Sequence, residues 1–306
     1  MKTFGNWPRV NIGYYVKYNL KVTTKNSRII KFKLMSKLFS IENKIYALSG
    51  ATGTLGGSIA KYLVENGAKV LLLGRSLDKL EEKCKELDAI APNSAHLFVL
   101  DVMDEKQLTE LKNTITTKFK RLDGLVNLAG GNIPGATLKP DQTIYDIELA
   151  DTQKVVDINL FGTVIPTIVL SEIMAKQGFG SIVNISSMAA KQTISRVLGS
   201  SMAKAGVDIF TKWMANELAS KFSDKIRVNA IAPGFFIGNQ NRRLLTNEDG
   251  SFTDRGEKII TNTPMGRFGD ASELNGMVHY LLSDASSFVT GTIYDIDGGF
   301  SSFSGV

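Results

Sequence analysis

The stretch Ser49-Gly50-Ala51-Thr52-Gly53-Thr54-Leu55-Gly56-Gly57 decides the fold of this 306-residue chain. It follows the apolar run Ile45–Leu48 and precedes a segment in which Ile59, Leu63 and Val64 share one helical face. Glycines at such a junction let the backbone approach a pyrophosphate and let the helix pack against the strand. The phosphates would lie at the positive N-terminus of that helix. The stretch therefore predicts a strand, a phosphate-binding turn and a helix. The alternative is that the glycines only allow a tight turn and bind no phosphate.

The same alternation continues along the chain from residue 44. Short apolar runs that end in glycine or polar residues are Ile45–Leu48, Val70–Leu73, His96–Leu100, Gly124–Leu128, Ser181–Ile185, Ile226–Ala230 and Thr292–Ile296. Between them lie segments with helical spacing, such as those carrying Leu77, Leu80 and Leu87, or Leu108, Leu111, Ile115 and Phe119. Repeated βαβ crossovers produce this pattern. We therefore predict an α/β fold, a single-domain Rossmann-type doubly wound parallel seven-stranded sheet with helices on both faces.

The composition is that of an ordinary globular protein, with 43% hydrophobic and 22% charged residues. Cys84 is the only cysteine, and His96 and His279 are the only histidines. An internal disulfide and a metal centre built on cysteine or histidine are thereby excluded, and we predict no metal. A single cysteine fits a reducing compartment, so we expect a cytoplasmic protein.

The net charge of +6 comes entirely from the first residues of the chain. Residues 1–34 contain eight Lys and Arg and no Asp or Glu, which leaves −2 for residues 35–306. We therefore predict no nucleic-acid partner, and the lack of a long apolar run in the leader argues against a membrane anchor there. Residues 1–34 are interpreted as a poorly ordered basic extension, with a targeting role as one alternative, or as a misassigned start with Met35 as the initiator. Residues 35–306 are interpreted as the domain.

A second nucleotide-contacting position is expected at the end of the second strand. In NAD-binding sites an acidic residue there binds the adenosine ribose, about 20 residues after the glycine turn. This chain has Gly74-Arg75 instead. A 2′-phosphate would meet no carboxylate, and Arg75 could pair with it. We favour NADP over NAD as the cofactor, with a solvated surface arginine as the alternative.

The motifs spread over about residues 40–300 together resemble the short-chain dehydrogenase/reductase family. They are the glycine turn, Asp101-Val102, Asn127-Leu128-Ala129-Gly130, Asn159, Ser186-Ser187, Lys204, Ala232-Pro233-Gly234 and Asp297-Gly298-Gly299. The resemblance implies that Asp101 and Val102 contact the adenine. It also implies further cofactor contacts from Asn127, Ala129, Gly130, Lys204, Pro233, Gly234 and Phe236, in addition to the glycine turn.

Within that family the chain resembles the D-mannonate oxidoreductases, also called D-fructuronate reductases. The stretches that carry this similarity are residues 130–136, 185–190, 232–236, 240–242, 263–268 and 299–306. The glycine turn has Thr54 where the wider family has a middle glycine, a shift that mannonate-type members share. The similarity implies interconversion of D-mannonate and D-fructuronate. Another sugar-acid or polyol dehydrogenase, such as a gluconate dehydrogenase, and a dinucleotide-binding pseudoenzyme are the alternatives.

The family's catalytic residues correspond to Asn159, Ser187, Lys204 and position 200. The family has a tyrosine thirteen residues after the serine and four before the lysine, and both spacings select Ser200. A phenol beside an ammonium can donate a proton near neutral pH, whereas an aliphatic hydroxyl is a far weaker acid. We therefore predict impaired activity. Three interpretations stay open: an engineered or erroneous substitution, a degenerate enzyme or pseudoenzyme, and proton delivery by water or another group.

The substrate of such an enzyme carries a carboxylate, which arginine binds well. Arg196 lies between Ser187 and Ser200, and Arg242 follows in the segment that forms the substrate lid in the family. We predict that both bind the carboxylate and that Gln240, Asn241 and Asn132 face the sugar. Surface arginines without a substrate role are the alternative.

Two central helices are predicted to be apolar on more than one face, over residues 155–174 and 205–218. Helices that are apolar all round must be buried. The resemblance implies that a partner subunit covers one face, in a homodimer or homotetramer. Complete burial within the monomer is the alternative.

Overall fold

The computed structural model describes residues 37–238 and 241–303. From Phe39 onward the described residues form one compact unit built on a parallel sheet. The predicted extension over residues 1–34 and the predicted substrate residue Gln240 lie outside the described residues.

The described elements alternate as the sequence predicts. The strands are β1 (Ile45–Ser49), β2 (Lys69–Gly74), β3 (Ala95–Val99), β4 (Gly124–Asn127), β5 (Gly180–Ile185), β6 (Ile226–Pro233) and β7 (Ile293–Ile296). The helices are α1 (Thr54–Glu65), α2 (Leu77–Asp88), α3 (Glu105–Thr114), α4 (Leu149–Val156), α5 (Gly162–Gln177), α6 (Leu198–Lys221), α7 (Arg242–Leu245), α8 (Asp254–Thr261) and α9 (Asn275–Leu282). The strands pair in the order β3-β2-β1-β4-β5-β6-β7, and every pairing is parallel. The predicted Rossmann-type sheet is confirmed.

Six of the predicted strands agree with the structure to within one residue at each end. The sixth strand runs three residues beyond its predicted end at Ala230, because Ile231, Ala232 and Pro233 continue to pair with β7. The predicted helical face of Leu77, Leu80 and Leu87 is wrong at its first residue, which is 46% exposed. With 3.6 residues per turn, Leu77 lies roughly 70° around the helix from the other two.

The core consists of two layers, one on each face of the sheet. Alternate residues of β1 divide between them: Tyr46 and Leu48 join one layer, and Ile45 and Ala47 the other. Helices α1 and α9 cover the first face, and α3, α5 and α6 cover the second. Burial of this kind on both faces is the reason that the strands read as continuous apolar runs.

A π-helical turn at Asp157–Phe161 joins α4 to α5, and Pro166 lies inside α5. The whole stretch Leu149–Gln177 is long and apolar enough to cross a membrane, but 56% of its most apolar window is buried within the fold. Its residues Leu170 and Met174 belong to the core layer formed with α3 and α6. We therefore describe it as a core helix.

Candidate active site

The candidate site lies where the strand order reverses, between β1 and β4. Open parallel sheets bind ligands outside the carboxyl ends of their strands at such a point. Ser49 ends β1, and its Oγ accepts hydrogen bonds of 3.1 Å from the backbone N–H groups of Leu128 and Ala129. These bonds hold the loop after β4 against the glycine-rich turn, so that the two segments form the floor of one cleft.

The glycine-rich turn has no room for a side chain at two positions. Gly50 has a φ of +66°, and a Cβ there would lie 2.8 Å from the carbonyl of Leu128. A Cβ on Gly56 would lie 2.3 Å from the carbonyl oxygen of Gly50. Backbone without side chains at these two positions thus leads directly into the N-terminus of α1. Such a turn can accommodate the phosphates of a dinucleotide.

The cleft has a volume of about 610 Å³, within the range of small-molecule sites. Of the predicted cofactor-binding residues, its lining includes Gly50, Thr52, Gly53, Thr54, Leu55, Gly56, Arg75, Asp101, Val102, Ala129, Gly130, Lys204 and Phe236. The cleft thus joins the first, second, third and fourth strand ends to α6.

Three predicted cofactor-binding residues lie outside the lining of this cleft. Asn127 is buried, and its Nδ2 donates to Thr167 Oγ1 at 2.8 Å and to Asn184 Oδ1 at 2.9 Å, so it ties β4 to α5 and β5. Pro233 ends β6, and Gly234 packs against the backbone of Asp297. In the structure these three residues support the strands and loops around the cleft and do not line its surface.

Lys204 lies in the first half of α6, and its side chain is buried, with 8% of the residue exposed. Its Nζ donates to the carbonyl oxygen of Ile185, at the end of β5, at 2.7 Å. Burial lowers the pKa of this ammonium to about 8, and the negative charge of Asp208 partly opposes that shift. A lysine in this position can exchange its proton near neutral pH.

Asn159 lies on the π-helical turn and faces the loop after β4. Its Nδ2 donates to the carbonyl oxygens of Gly131 at 2.7 Å and Val155 at 2.8 Å, and its Oδ1 accepts from the Gly131 N–H at 3.2 Å. A Cβ on Gly130 would lie 2.6 Å from Asn159 Oδ1 and 3.8 Å from Lys204 Nζ. Asn159 and Lys204 therefore meet at Gly130, and π turns often occur at such functional positions.

Ser187 lies two residues after Ile185, to which Lys204 donates, and Ser200 lies four residues before Lys204; neither is among the residues that line the cleft. Ser187 follows β5, and its Oγ accepts a hydrogen bond from the N–H of Ala189 at 3.1 Å. Ser200 lies in the first turn of α6, half-buried, one helical turn before Lys204. Within residues 37–238 and 241–303, neither hydroxyl donates a hydrogen bond to the protein.

The predicted substrate residues are spread over three segments. Asn132 and Arg242 are exposed, whereas Arg196 is half-buried in the loop before α6. Asn241 lines the cleft, where its Oδ1 accepts from the Gly238 N–H and its Nδ2 donates to the carbonyl of Phe236, both at 2.8 Å. Asn241 thus shapes the turn after β6.

Sequence reasoning missed several residues of the cleft. Lys79, Gly131, Ile158, Ile185 and Gly238 also line it. Lys79 could have been found, because it falls in the first turn of the helix that follows Arg75. In the described part of the chain, no group of three or more His, Cys, Asp or Glu side chains could hold a metal ion.

Comparisons with known proteins agree with this geometry. Residues 50–301 match the family model described as "Enoyl-(Acyl carrier protein) reductase". An "Uncharacterized oxidoreductase" of Haemophilus influenzae is 38% identical over 279 residues, covering 87% of this chain and 96% of that protein.

Solved structures resemble the chain over the same length. A crystal structure titled "putative D-Mannonate oxidoreductase" from Haemophilus influenza, with bound NAD, is 37% identical with a TM-score of 0.80, and 87% of this chain and 98% of that one are covered. A gluconate 5-dehydrogenase from Burkholderia cenocepacia, in complex with NADP and tartrate, is 25% identical with a TM-score of 0.77, and covers 88% of this chain and 99% of that one. The chain therefore belongs to the short-chain dehydrogenase/reductase family and is an NAD(P)-dependent oxidoreductase that acts on CH–OH groups.

Proposed function

We propose that this oxidoreductase interconverts D-mannonate and D-fructuronate. The observation that carries the proposal is the meeting of Asn159 and Lys204 at Gly130, on the floor of a dinucleotide-sized cleft. The similarity to the NAD-bound Haemophilus structure supports the choice of sugar acid. Another sugar-acid dehydrogenase is the rival, supported by the similarity to the gluconate 5-dehydrogenase.

In this proposal each polar residue at the site has one task. The bound dinucleotide supplies or accepts a hydride at its nicotinamide. Ser187 uses its free hydroxyl hydrogen to bind the substrate carbonyl oxygen, because its oxygen is already held by the Ala189 N–H. Lys204 binds the nicotinamide ribose with the N–H groups that Ile185 does not occupy. Asn159 fixes the loop at Gly131 and so keeps the floor beneath them in place.

The proton for the carbonyl oxygen is the weak point of this site. Ser200 stands at the position of the family's tyrosine, and its hydroxyl is both shorter and far less acidic than a phenol. General acid catalysis supplies about 10²–10⁴-fold in rate, so we expect a loss of that size in this chain. Binding and alignment of the reactants would sustain the residual turnover.

We further propose NADP as the preferred cofactor. Arg75 and Lys79 both line the cleft beside the end of β2, where NAD-specific sites place a carboxylate. Two cations near one 2′-phosphate favour charge-assisted hydrogen bonds to it. Relatives include an NAD-bound and an NADP-bound structure, so this choice depends on the residues of this chain.

We also propose that α5 and α6 form an interface between subunits. Leu198, Met202, Ile209 and Trp213 lie along one side of α6 and are 40–65% exposed. Ile168 on the neighbouring α5 is 55% exposed. An apolar strip of this kind is typical of a surface covered by another protein chain, which favours the predicted homodimer or homotetramer.

The decisive experiment measures the reduction of D-fructuronate by the native protein and by Ser200→Tyr, with NADPH and with NADH. We expect Ser200→Tyr to raise kcat by about 10²–10⁴-fold, because it restores a phenol one helical turn from Lys204. Ser200→Phe fills nearly the same volume as Ser200→Tyr but has no hydroxyl, so its kcat should stay near that of the native protein. Ser201→Tyr places the phenol on the neighbouring residue and serves as the second control.

Equal rates for Ser200→Tyr and the native protein would contradict the proton-donor account. A panel of keto-sugar acids run on both proteins separates the substrates, and a clear preference for a ketogluconate would favour the rival dehydrogenase. Tight NADPH binding without turnover in either form, even at high enzyme concentration, would identify a cofactor-binding pseudoenzyme.

A further inference from the structure

Two half-buried arginines lie close together beside the loop that precedes α6. Arg196 belongs to that loop, residues 186–197, and Arg255 belongs to α8 in the long connection between β6 and β7. Neither has a carboxylate within 4 Å among the residues that the structure describes. Two neighbouring cations without a counter-ion form an arrangement that an anion would stabilise.

Arg255 spans the space between α8 and the loop. Thr253 caps the helix by accepting a hydrogen bond from the Gly256 N–H at 3.1 Å, so Arg255 lies in a fixed first turn. Its Nη1 donates to Ser195 Oγ at 3.2 Å, and its Nη2 lies 3.5 Å from the Ser195 carbonyl oxygen. Burial lowers the pKa of this guanidinium, and the positive charge of Arg196 lowers it further.

Hydrogen bonds at both its backbone and one edge of its side chain hold Arg196 against Leu138. Its φ is +79°, a conformation that non-glycine residues adopt at a cost of order 1 kcal/mol. Its carbonyl oxygen accepts from the Leu138 N–H at 3.1 Å, and its Nε donates to the Leu138 carbonyl oxygen. The two terminal nitrogens make no hydrogen bond within the described residues, so the outer edge of the guanidinium stays available.

Other arginines of this protein show how such groups are usually satisfied. Arg121 pairs with Asp123, and Arg267 forms a two-point ion pair with Glu273. Arg227 is buried and donates to two backbone carbonyls and to Ser286 Oγ. Arg196 and Arg255 are half-buried like Arg121, but they lack the acidic partner that Arg121 has.

Arg196 is close to the proposed catalytic residue Ser200 along the chain, and Arg255 contacts Ser195 beside it. Arg196 precedes Ser200 by four residues, which limits the distance between their Cα atoms to about 15 Å. The loop after β4 contains Leu138, which binds Arg196, and Gly131, which Asn159 holds by two hydrogen bonds. Arg196 therefore lies on the segment between Ser187 and Ser200 and contacts the loop that Asn159 holds.

We propose that Arg196 and Arg255 together bind the carboxylate of the substrate, an inference that rests on the proposed sugar-acid function. Arginine was predicted for this task at positions 196 and 242. The structure adds Arg255 and leaves Arg242 exposed on α7. A carboxylate between the two guanidinium groups removes their mutual repulsion and accepts charge-assisted hydrogen bonds from both. It also links α8 to the loop before α6, so that the charge of the substrate, rather than its hydroxyl pattern alone, selects the sugar acid.

Binding measurements test this without relying on turnover. The full chain saturated with NADPH is titrated calorimetrically with D-mannonate, with D-gluconate and with uncharged D-mannitol. We expect Arg255→Gln and Arg196→Gln to weaken binding of the sugar acids by about 10- to 100-fold, because each removes hydrogen bonds to a charged group. Binding of D-mannitol and of NADPH should stay unchanged. Arg243→Gln, an exposed arginine on α7, is the matched control and should match the native protein.

Arg255→Lys keeps the charge but loses the planar fork, and it should fall between the native protein and Arg255→Gln. Thermal unfolding of each variant identifies any that fails to fold. If Arg255→Gln fails to fold, sugar-acid binding by Arg255→Lys is compared with that of the native protein instead. Sugar-acid binding that is unchanged in both glutamine variants would overturn the inference, as would equal losses for D-mannitol.

The two proposals fail in different ways. If the native protein binds D-gluconate but not D-mannonate, and the arginine variants lose that binding, the proposed substrate is wrong and the carboxylate site stands. If the native protein binds D-mannonate and the variants bind it equally well, the proposed substrate stands and the arginine site is wrong.

Discussion

The two halves of the site are built in different ways. The dinucleotide half consists mainly of backbone and small residues at strand ends, including Gly50, Gly56 and the loop held by Ser49. The proposed substrate half consists of long side chains on connecting segments, such as Arg196 and Arg255. Steric limits at fixed positions define the first half, whereas rotatable charged groups define the second.

This difference explains how one framework can serve several substrates. A pyrophosphate needs close approach of bare backbone, and the sheet fixes that approach at its switch point. A substrate needs particular charges and hydroxyl partners, and loops can change these without moving the strands. Lys204 lies on the border, because it lines the dinucleotide cleft while lying one helical turn from Ser200.

The largest of the remaining expected effects is on stability, at this border residue. The pKa of Lys204 falls from 10.5 to about 8 on folding, because its ammonium is buried. At this residue the unfolded chain binds more protons than the folded one between these two pH values, so the contribution of Lys204 to the free energy of unfolding should rise with pH, by about 3 kcal/mol in total. Lys204→Met removes this rise. Denaturant unfolding at pH 7 and at pH 10 measures it.

Lys212→Met provides the matched control, since this lysine is exposed on the same helix. It should keep the pH dependence of the native protein. If the native protein and Lys204→Met show parallel stability between pH 8 and 10.5, the buried-ammonium account of the border residue fails.

The sheet could be predicted closely because its signals are local. Each strand is a short apolar run bounded by glycine or polar residues, and buried strands must be apolar on both faces. The extension of β6 to Pro233 was missed, because it depends on pairing with β7, more than 55 residues later. Leu77 was misplaced, because helical spacing alone does not mark the edge of a buried face.

The candidate site could be predicted in part. The positions of the glycine turn, Asp101, Asn159 and Lys204 follow from motif order, and the structure brings them to one cleft. The pairing of Arg255 with the predicted Arg196 could not be foreseen, because Ser195 and Arg255 are 60 residues apart and the separating segment carries no regular pattern. The π-helical turn at Asp157–Phe161 leaves no mark in the sequence either, although it positions Asn159.

The dinucleotide half can be tested by adding a single methyl group. Gly56→Ala would place its Cβ 2.3 Å from the Gly50 carbonyl oxygen, so the backbone must shift. We expect a loss of stability of about 1–3 kcal/mol, the usual cost of overpacking, together with weakened NADPH binding. Fluorescence titration with NADPH and thermal unfolding measure the two effects.

The control for this change lies in the same turn. A Cβ on Gly53 would lie 3.4 Å from the Gly50 carbonyl oxygen, and Gly53 is exposed. Gly53→Ala should therefore change stability little. Equal losses of stability from the two alanines would show that steric fit does not define this half.

The smallest effect concerns the charged side chains of the dinucleotide half beside the end of β2. Arg75 and Lys79 are exposed and line the cleft at the end of β2. Arg75→Gln should weaken NADPH binding by about tenfold and leave NADH binding unchanged, because only the 2′-phosphate accepts hydrogen bonds from this guanidinium. Lys85→Gln, on the exposed side of the same helix, should alter neither. Equal losses of affinity for NADPH and NADH would mean that Arg75 contacts a group that both cofactors have. Other residues of the cleft would then determine the cofactor preference.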